Sequence, residues 1–156
     1  MKIDYVIASL NTEFEDGRKL FQHYANSLKV DLAFQDFTKE LKMIDMQYNK
    51  PSGALLLAYH GANAIGCAAV RESDKDTAEL KRMFVLPEYR KQHIGKTLLQ
   101  MIVDHAKKLQ YVKIRLDTLP DMHAAQELYK AHGFYEIPSY RYNPIRGTVY
   151  MEKKLI

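Results

Sequence analysis

Short apolar runs alternate along the chain with stretches of helical spacing, and the runs predict strands. Residues 3–8 form a first such run. Residues 54–60 and 64–72 form two more, joined by Gly61-Ala62-Asn63, which is a hairpin signal. A further run at residues 77–85 follows another polar turn. The pattern predicts an N-terminal strand and then three consecutive antiparallel strands.

Other stretches repeat their apolar residues every three or four positions, which is the helical period. Thr12 and Glu15 have capping-box spacing ahead of an apolar stripe, so a helix is predicted there. A second helix is predicted around residues 34–44, before a turn at residues 49–53. One stripe predicts a longer amphipathic helix of about four turns: Ile94, Leu98, Met101, Ile102, His105, Ala106 and Leu109.

The third strand of the antiparallel series has an irregular pattern. Ala78 and Leu80 share one face, but Met83 follows Leu80 by an odd step and falls on the other face if the period is strictly two. A bulge near Lys81-Arg82 would bring these apolar residues to one face. Bulges tend to lie beside functional sites, because they redirect side chains and leave backbone groups unpaired.

A strand, a helix and a strand follow one another in the C-terminal half. The strand ending at Val85 leads into the amphipathic helix and then into a strand at residues 112–116. Right-handed crossovers of this kind join parallel neighbours, and ligands bind at the carboxyl ends of such strands. A helix from Pro120 to Gly133, a short stretch at residues 135–138, an aromatic-rich loop at residues 139–146 and a final strand at residues 148–155 follow. The predicted fold class is α/β (α+β), with a mixed sheet flanked by helices.

The segment between Pro87 and the amphipathic helix has the properties of an anion site. A helix start offers unpaired backbone N–H groups and the positive end of the helix dipole. Cationic side chains flank this one, although a basic loop that is merely solvated is the alternative. A Walker loop is excluded, because no glycine stands five positions before Gly95. The residues concerned are Arg90, Lys91, Gln92, His93, Ile94, Gly95, Lys96 and Thr97.

The length and composition of the chain limit the classes of protein to which it can belong. A chain of 156 residues with 47% hydrophobic content fits one domain, residues 1–156. Its apolar runs are far shorter than the roughly 20 residues of a membrane span, and its start lacks a signal-peptide core. A soluble, cytoplasmic protein with no membrane partner is therefore expected. The single cysteine, Cys67, lies in an apolar run, which favours core packing over a catalytic thiol.

The distribution of charge and the spacing of the histidines argue against a nucleic-acid-binding surface and a metal centre. The net charge of +4 is mild, and basic residues are spread among acidic ones except around residues 81–96, so no nucleic-acid partner is expected. The six histidines include no pair spaced to put two ligands on one helix face. No metal cofactor is expected.

Two motifs carry a resemblance to the GNAT superfamily of acetyltransferases. Residues 79–99, Glu-Leu-Lys-Arg-Met-Phe-Val-Leu-Pro-Glu-Tyr-Arg-Lys-Gln-His-Ile-Gly-Lys-Thr-Leu-Leu, are similar to the family's acetyl-CoA-binding segment. Residues 125–134, Ala-Gln-Glu-Leu-Tyr-Lys-Ala-His-Gly-Phe, are similar to its following helix and turn. The order of elements extends the resemblance over essentially the whole chain. It implies a parallel strand pair that splays apart where acetyl-CoA binds.

The resemblance implies acetyl-CoA as cosubstrate and a set of residues that bind it. The pantetheine arm would pair with the backbone of the bulged strand, and the pyrophosphate would meet the turn before the amphipathic helix. The implied residues are Met83, Phe84, Val85, Arg90, Lys91, Gln92, His93, Ile94, Gly95, Lys96, Thr97, Met122 and Tyr129.

The chain departs from the family pattern at two of these positions. His93 stands where the pyrophosphate loop has its first glycine. Phosphate binding through the backbone is expected to survive if His93 adopts ordinary helical angles, either with the side chain tolerated or with His93 as a phosphate ligand. Met122 stands where the family often has asparagine, so an amide contact to the pantetheine arm is lost.

Two catalytic roles follow from the resemblance. Tyr129 resembles the general acid that protonates the departing thiolate, and packing on the sheet is its alternative role. Glu79 resembles the residue that takes the amine proton, directly or through water, and an ion pair with a neighbour such as Lys81 or Arg82 is its alternative role. The backbone N–H of Met83 would polarise the acetyl carbonyl.

The expected reaction is N-acetylation of a small-molecule primary amine by direct attack in a ternary complex. Phe34 is a candidate for lining the acceptor site, and Arg141 and Arg146 are candidates for holding a carboxylate, with solvated loop arginines as the alternative. Acetylation of a protein or peptide, which needs an open groove, stays open as an alternative activity. So does a non-catalytic acyl-CoA-binding module, and so does a homodimer, since family members associate through strand edges.

Overall fold

A seven-stranded sheet forms the centre of the computed structural model, which describes the backbone of all 156 residues and the side chains of all except Phe34 and Gln35. Its strand order is β1-β2-β3-β4-β5-β7-β6. The strands are β1 (Asp4–Ile7), β2 (Ala54–His60), β3 (Asn63–Asp74), β4 (Thr77–Val85), β5 (Lys113–Thr118), β6 (Tyr135–Ile137) and β7 (Val149–Lys154). The helices are α1 (Asn11–Ser27), α2 (Phe37–Lys42), α3 (Ile44–Gln47), α4 (Ile94–Lys108) and α5 (His123–Ala131), with 3₁₀ turns at Leu32–Gln35 and Pro87–Tyr89.

The N-terminal helices differ from the prediction in two places. Helix α1 begins at Asn11, and the carboxylate of Glu13 accepts the backbone N–H of Ser9 at 2.9 Å and that of Leu10 at 3.0 Å. The capping box predicted at Thr12 and Glu15 is therefore wrong. The single helix predicted at residues 34–44 is also wrong, because Asp36 has φ 58° and separates the 3₁₀ turn from α2. Apolar spacing alone did not reveal a backbone break at a polar residue.

The sheet confirms the predicted pairing. Strands β2, β3 and β4 are consecutive antiparallel neighbours, and β4 and β5 are parallel. The parallel ladder is short: it joins Thr77–Glu79 to Lys113–Arg115. The two strands are no longer paired beyond Glu79 and Arg115, which is where the candidate site lies.

The predicted bulge in β4 is confirmed. Cys67 of β3 faces Phe84, and Ala69 faces Lys81, so one residue of β3 opposes two of β4. Arg82, inside this bulge, has φ 55°. A left-handed conformation costs a residue with a side chain about 1 kcal/mol or more, so surrounding contacts must hold it.

Each face of the sheet has its own buried cluster. Leu98 and Ile102 of α4 pack with Ile114 on one face, and that cluster also includes Tyr129. Phe21 of α1 and Tyr48 pack on the other face. Within the described part of the chain, no helix is long and apolar enough to span a bilayer. The end of β4 therefore lies between two helical layers.

Candidate active site

A cleft of about 640 Å³ opens between the end of β4 and the starts of α4 and α5, and we call it the β4–α4 cleft. Two helix N-termini border it, so unpaired backbone N–H groups lie along its edge. Ten of the residues predicted to bind cosubstrate line it: Met83, Phe84, Val85, Arg90, Lys91, His93, Ile94, Gly95, Lys96 and Met122. Gln92, Thr97 and Tyr129 are not among the lining residues.

The turn before α4 has an unusual backbone. His93 is the residue just before the first turn of α4, with φ 63° and ψ 14°, and Lys91 has φ 65°. The expectation of ordinary helical angles at His93 is wrong. Glycine adopts this conformation at little cost, whereas a residue with a Cβ does not. This chain therefore holds a left-handed conformation at position 93 without a glycine.

The other side chains of the turn are partly engaged. Arg90 donates from Nε to the carbonyl of Val85 at 3.0 Å, and its guanidinium lies 5.6 Å from the ring centre of Phe84. Lys91 and Lys96 are exposed at the mouth of the cleft. A Cβ at Gly95 would make only ordinary contacts, 3.9 Å from Val85 and Leu128. The cleft is therefore cationic at its mouth.

The bulge is held by an ion pair that the sequence did not predict. Arg82 donates from Nε and Nη2 to the two carboxylate oxygens of Glu40, each at 2.8 Å, and both side chains are almost fully buried. Burial opposes the ionised form of Glu40, but the hydrogen bond and charge of Arg82 outweigh it and lower the pKa. The guanidinium also lies 5.2 Å from the ring centre of Phe37. Helix α2 thus fixes the strained residue of β4.

Glu79 is buried and bound by three side chains. Its Oε1 accepts from Arg71 Nε at 3.1 Å, and its Oε2 accepts the Tyr140 hydroxyl at 2.9 Å. The guanidinium of Arg141 forms an ion pair with the same carboxylate. Glu79 therefore forms ion pairs, which is the alternative role given above. Its partners are Arg71 and Arg141 and not the sequence neighbours Lys81 or Arg82.

Tyr129 lies on α5 and is buried, with its ring 5.7 Å from that of Phe134. Burial raises the pKa of its phenol above the ordinary value, and the charges of Tyr24 and Asp117 add to this effect. The phenol is therefore protonated over the whole physiological range, as a proton donor must be.

A second, small polar cavity of about 40 Å³ lies where β4 and β5 separate. Lys81, Arg82, Asp117 and Thr118 are among the residues that line it. Burial and, to a smaller extent, the charge of Arg82 lower the pKa of Lys81 to about 7, and the charge of Asp117 opposes the shift. Sequence reasoning overlooked Asp117 and Thr118. The only available signal was their place at the carboxyl end of a strand in a parallel pair.

The remaining candidates lie in different places. Arg141 contacts Glu79, whereas Arg146 is exposed and lines neither cavity. The side chain of Phe34 lies outside the described residues. Cys67 is fully buried, and burial raises the pKa of its thiol to about 12, so core packing is its role. Among the described side chains, no group of three potential ligands for a metal ion occurs.

Comparisons with known proteins identify the relatives of this chain. The model of the acetyltransferase (GNAT) family matches residues 17–134. An uncharacterized N-acetyltransferase of Schizosaccharomyces pombe is 36% identical over 94% of this chain and 91% of its own length. The N-acetylaspartate synthetase of Mus musculus is 33% identical over 71% of this chain and 38% of its own length.

Solved structures share the fold. A GNAT-family acetyltransferase from Staphylococcus aureus superposes with a TM-score of 0.80 at 24% identity, over 99% of this chain and 100% of its own. An N-acetyltransferase from Thermoplasma acidophilum, solved in complex with coenzyme A, superposes with a TM-score of 0.70 at 22% identity, over 99% of each chain.

Proposed function

The chain belongs to the GNAT acetyltransferase family, and from this premise we propose that it transfers acetyl from acetyl-CoA to the primary amine of a small molecule. The observation that carries the proposal is the β4–α4 cleft, where a bulged strand, a cationic turn and two helix N-termini converge. These are the features that the thioester, pantetheine and pyrophosphate of acetyl-CoA require.

In this proposal the cosubstrate extends from the α4 turn to the bulge. The backbone N–H groups at the start of α4, with Arg90, Lys91 and Lys96, bind the pyrophosphate. The pantetheine arm runs along Met83 to Val85, where β4 is no longer paired with β5. The acetyl group then lies at the bulge, with its carbonyl oxygen directed at the N–H of Met83.

The chemistry is a direct displacement. The neutral amine nitrogen of the acceptor attacks the thioester carbonyl carbon, the C–S bond breaks, and the thiolate takes the proton of the Tyr129 hydroxyl. The nitrogen releases its proton to solvent, from which the Tyr129 phenolate is protonated again. Burial keeps the Tyr129 phenol protonated, so that it can donate a hydrogen bond to the departing sulfur, but the raised pKa makes full proton transfer less favourable than from an ordinary tyrosine. Uptake of the amine proton by Glu79 stays a prediction, and the two arginines on that carboxylate favour a structural role instead.

A small acceptor is favoured over a peptide. The cavity beside the bulge holds only about 40 Å³, and Tyr140 and Arg141 of the segment before β7 bind the Glu79 carboxylate. An extended peptide would need an open groove. The name of the N-acetylaspartate synthetase also points to a small acceptor for that relative.

A mass-spectrometric screen tests the proposal. The protein and acetyl-CoA are incubated with amino acids, diamines, monoamines and lysine-containing peptides, and acetylated products are detected. We expect a small amine to be acetylated, and Tyr129→Phe to lower kcat about 100-fold. Tyr135→Phe is the control, since that exposed hydroxyl binds Glu152 away from the cleft. No product with any amine, or full activity of Tyr129→Phe, would overturn the catalytic assignment; tight CoA binding without turnover would indicate a binding module.

A further inference from the structure

Asp117 presents a buried carboxylate oxygen to the small cavity between β4 and β5. Its Oδ2 is inaccessible to solvent and has no hydrogen-bond partner among the described residues. A carboxylate oxygen that loses water without gaining a donor is costly to bury. Such a group in a folded protein calls for a missing partner, which a bound molecule can supply.

The position of Asp117 follows from the sheet register. The parallel ladder ends where Glu79 pairs with Arg115. Lys81 and Asp117 each lie two residues further on, so they point to the same face as that last pair and approach the cavity from opposite strands. Asp117 also contributes to the raised pKa of Tyr129, which places its charge within electrostatic reach of the proposed acid.

The cavity selects by size and by hydrogen-bonding capacity. A volume of about 40 Å³ accommodates one or two groups the size of water, and no larger acceptor. A carboxylate suits a group with several N–H donors, and an ammonium group has three. The rest of the molecule would lie outside the cavity.

The cations around Asp117 leave room for another positive charge. Arg82 is committed to Glu40 through two hydrogen bonds. Burial lowers the pKa of Lys81 to about 7, so about half of this amine is neutral at neutral pH. An anionic ligand would instead face the Asp117 carboxylate at close range.

We propose that Asp117 binds the acetyl acceptor through its protonated amine, which releases one proton to solvent before the nitrogen attacks the thioester. This inference rests on the proposed function and places the acceptor nitrogen beside the bulge of β4, where the thioester would end. Asp117 is therefore a substrate-binding residue on the side of the sheet opposite α4.

A binding experiment tests the inference without knowledge of the natural acceptor. The CoA-saturated protein is titrated with n-propylammonium and, as the neutral isostere, with n-propanol, and the amide chemical shifts of Asp117 and Thr118 are followed. We expect saturable shifts with propylammonium alone. In Asp117→Asn, binding should weaken at least tenfold, because the charge-assisted hydrogen bond is lost. Asp104→Asn, on the exposed face of α4, should behave like the parent.

Thr118→Val is a second control of the same shape, because its side chain points to the other face of β5, and we expect unchanged binding of propylammonium. The affinity for CoA, which should be unchanged in each variant, confirms that the fold is retained. Equal propylammonium affinity in the parent and Asp117→Asn would overturn the inference and leave Oδ2 as a site for water only.

Kinetics separate this inference from the proposed function. With an amine that the parent acetylates, Asp117→Asn should raise the KM for the amine at least tenfold and alter kcat less. Acetylation with an unchanged KM would refute the role of Asp117 while the proposed function stands. Propylammonium binding at Asp117 without acetylation of any amine would refute the proposed function while the binding site stands.

Discussion

The two sides of the β4 bulge are built in different ways. The β4–α4 cleft is lined by residues 83–96 and 121–128, two short segments, and much of what it offers is backbone. The opposite side, which we call the charged face, consists of Glu40, Arg71, Glu79, Arg82 and Arg141. Its contacts join side chains from distant segments: Arg82 binds Glu40 42 positions earlier, and Glu79 accepts from Tyr140 61 positions later.

The β4–α4 cleft provides the groups that bind the cosubstrate, whereas the charged face provides side chains that can vary with the acceptor. Phosphate binding needs N–H groups at a helix start, so many side chains are compatible with it. The charged face depends on which residues meet in three dimensions, and a single exchange there leaves a buried charge without its partner. We therefore expect the charged face to be sensitive to mutation and the cleft to be tolerant.

The largest effect is expected on the charged face, from Glu40→Gln. The substitution removes the carboxylate charge that the buried Arg82 guanidinium binds through two hydrogen bonds, and we expect a loss of about 3 to 5 kcal/mol in the free energy of unfolding. Urea denaturation measures it. Glu15→Gln, which breaks the exposed pair with Arg18, is the control and should cost less than about 1 kcal/mol. Similar losses for the two variants would contradict the expectation that the buried pair stabilises the fold more than the exposed pair.

Lys81 provides a pH-dependent test of the same face. Its pKa of about 7 lies below the unfolded value, so the unfolded chain binds the proton more tightly and stability rises with pH between the two values. Lys81→Met abolishes this contribution of Lys81 to the pH dependence of stability. The stability advantage of the variant over the parent should shrink by about 3 kcal/mol from pH 7 to pH 9.5. Lys107→Met, at an exposed position of α4, should show no such trend; a constant difference for Lys81→Met would contradict the burial argument.

The smallest effect is expected in the cleft, from His93→Gly. Glycine relieves a left-handed backbone but makes the unfolded chain more flexible, so we expect a gain of about 0.5 to 1 kcal/mol and a few-fold tighter binding of CoA. Calorimetry gives the affinity. Asp36→Gly relieves a similar φ of 58° at a site remote from the cleft and should leave CoA binding unchanged. Weaker binding by His93→Gly would instead identify His93 as a phosphate ligand.

The sequence predicted correctly those features that depend on the spacing of apolar residues along the chain. The bulge followed from the odd step between Leu80 and Met83, and the start of α4 followed from its apolar stripe. It failed at His93, because the order of residues does not show that the backbone there is left-handed. It also missed the Glu40–Arg82 pair and Asp117, since their meaning depends on burial and on neighbours from other strands and helices.

A crystal structure of the protein with acetyl-CoA would show where the cosubstrate binds. We expect the pyrophosphate on the N–H groups at the start of α4, the pantetheine arm along Met83 to Val85, and the thioester at the bulge within reach of the Tyr129 hydroxyl. Acetyl-CoA bound elsewhere, or a thioester distant from Tyr129 and from the cavity at Asp117, would contradict this expectation.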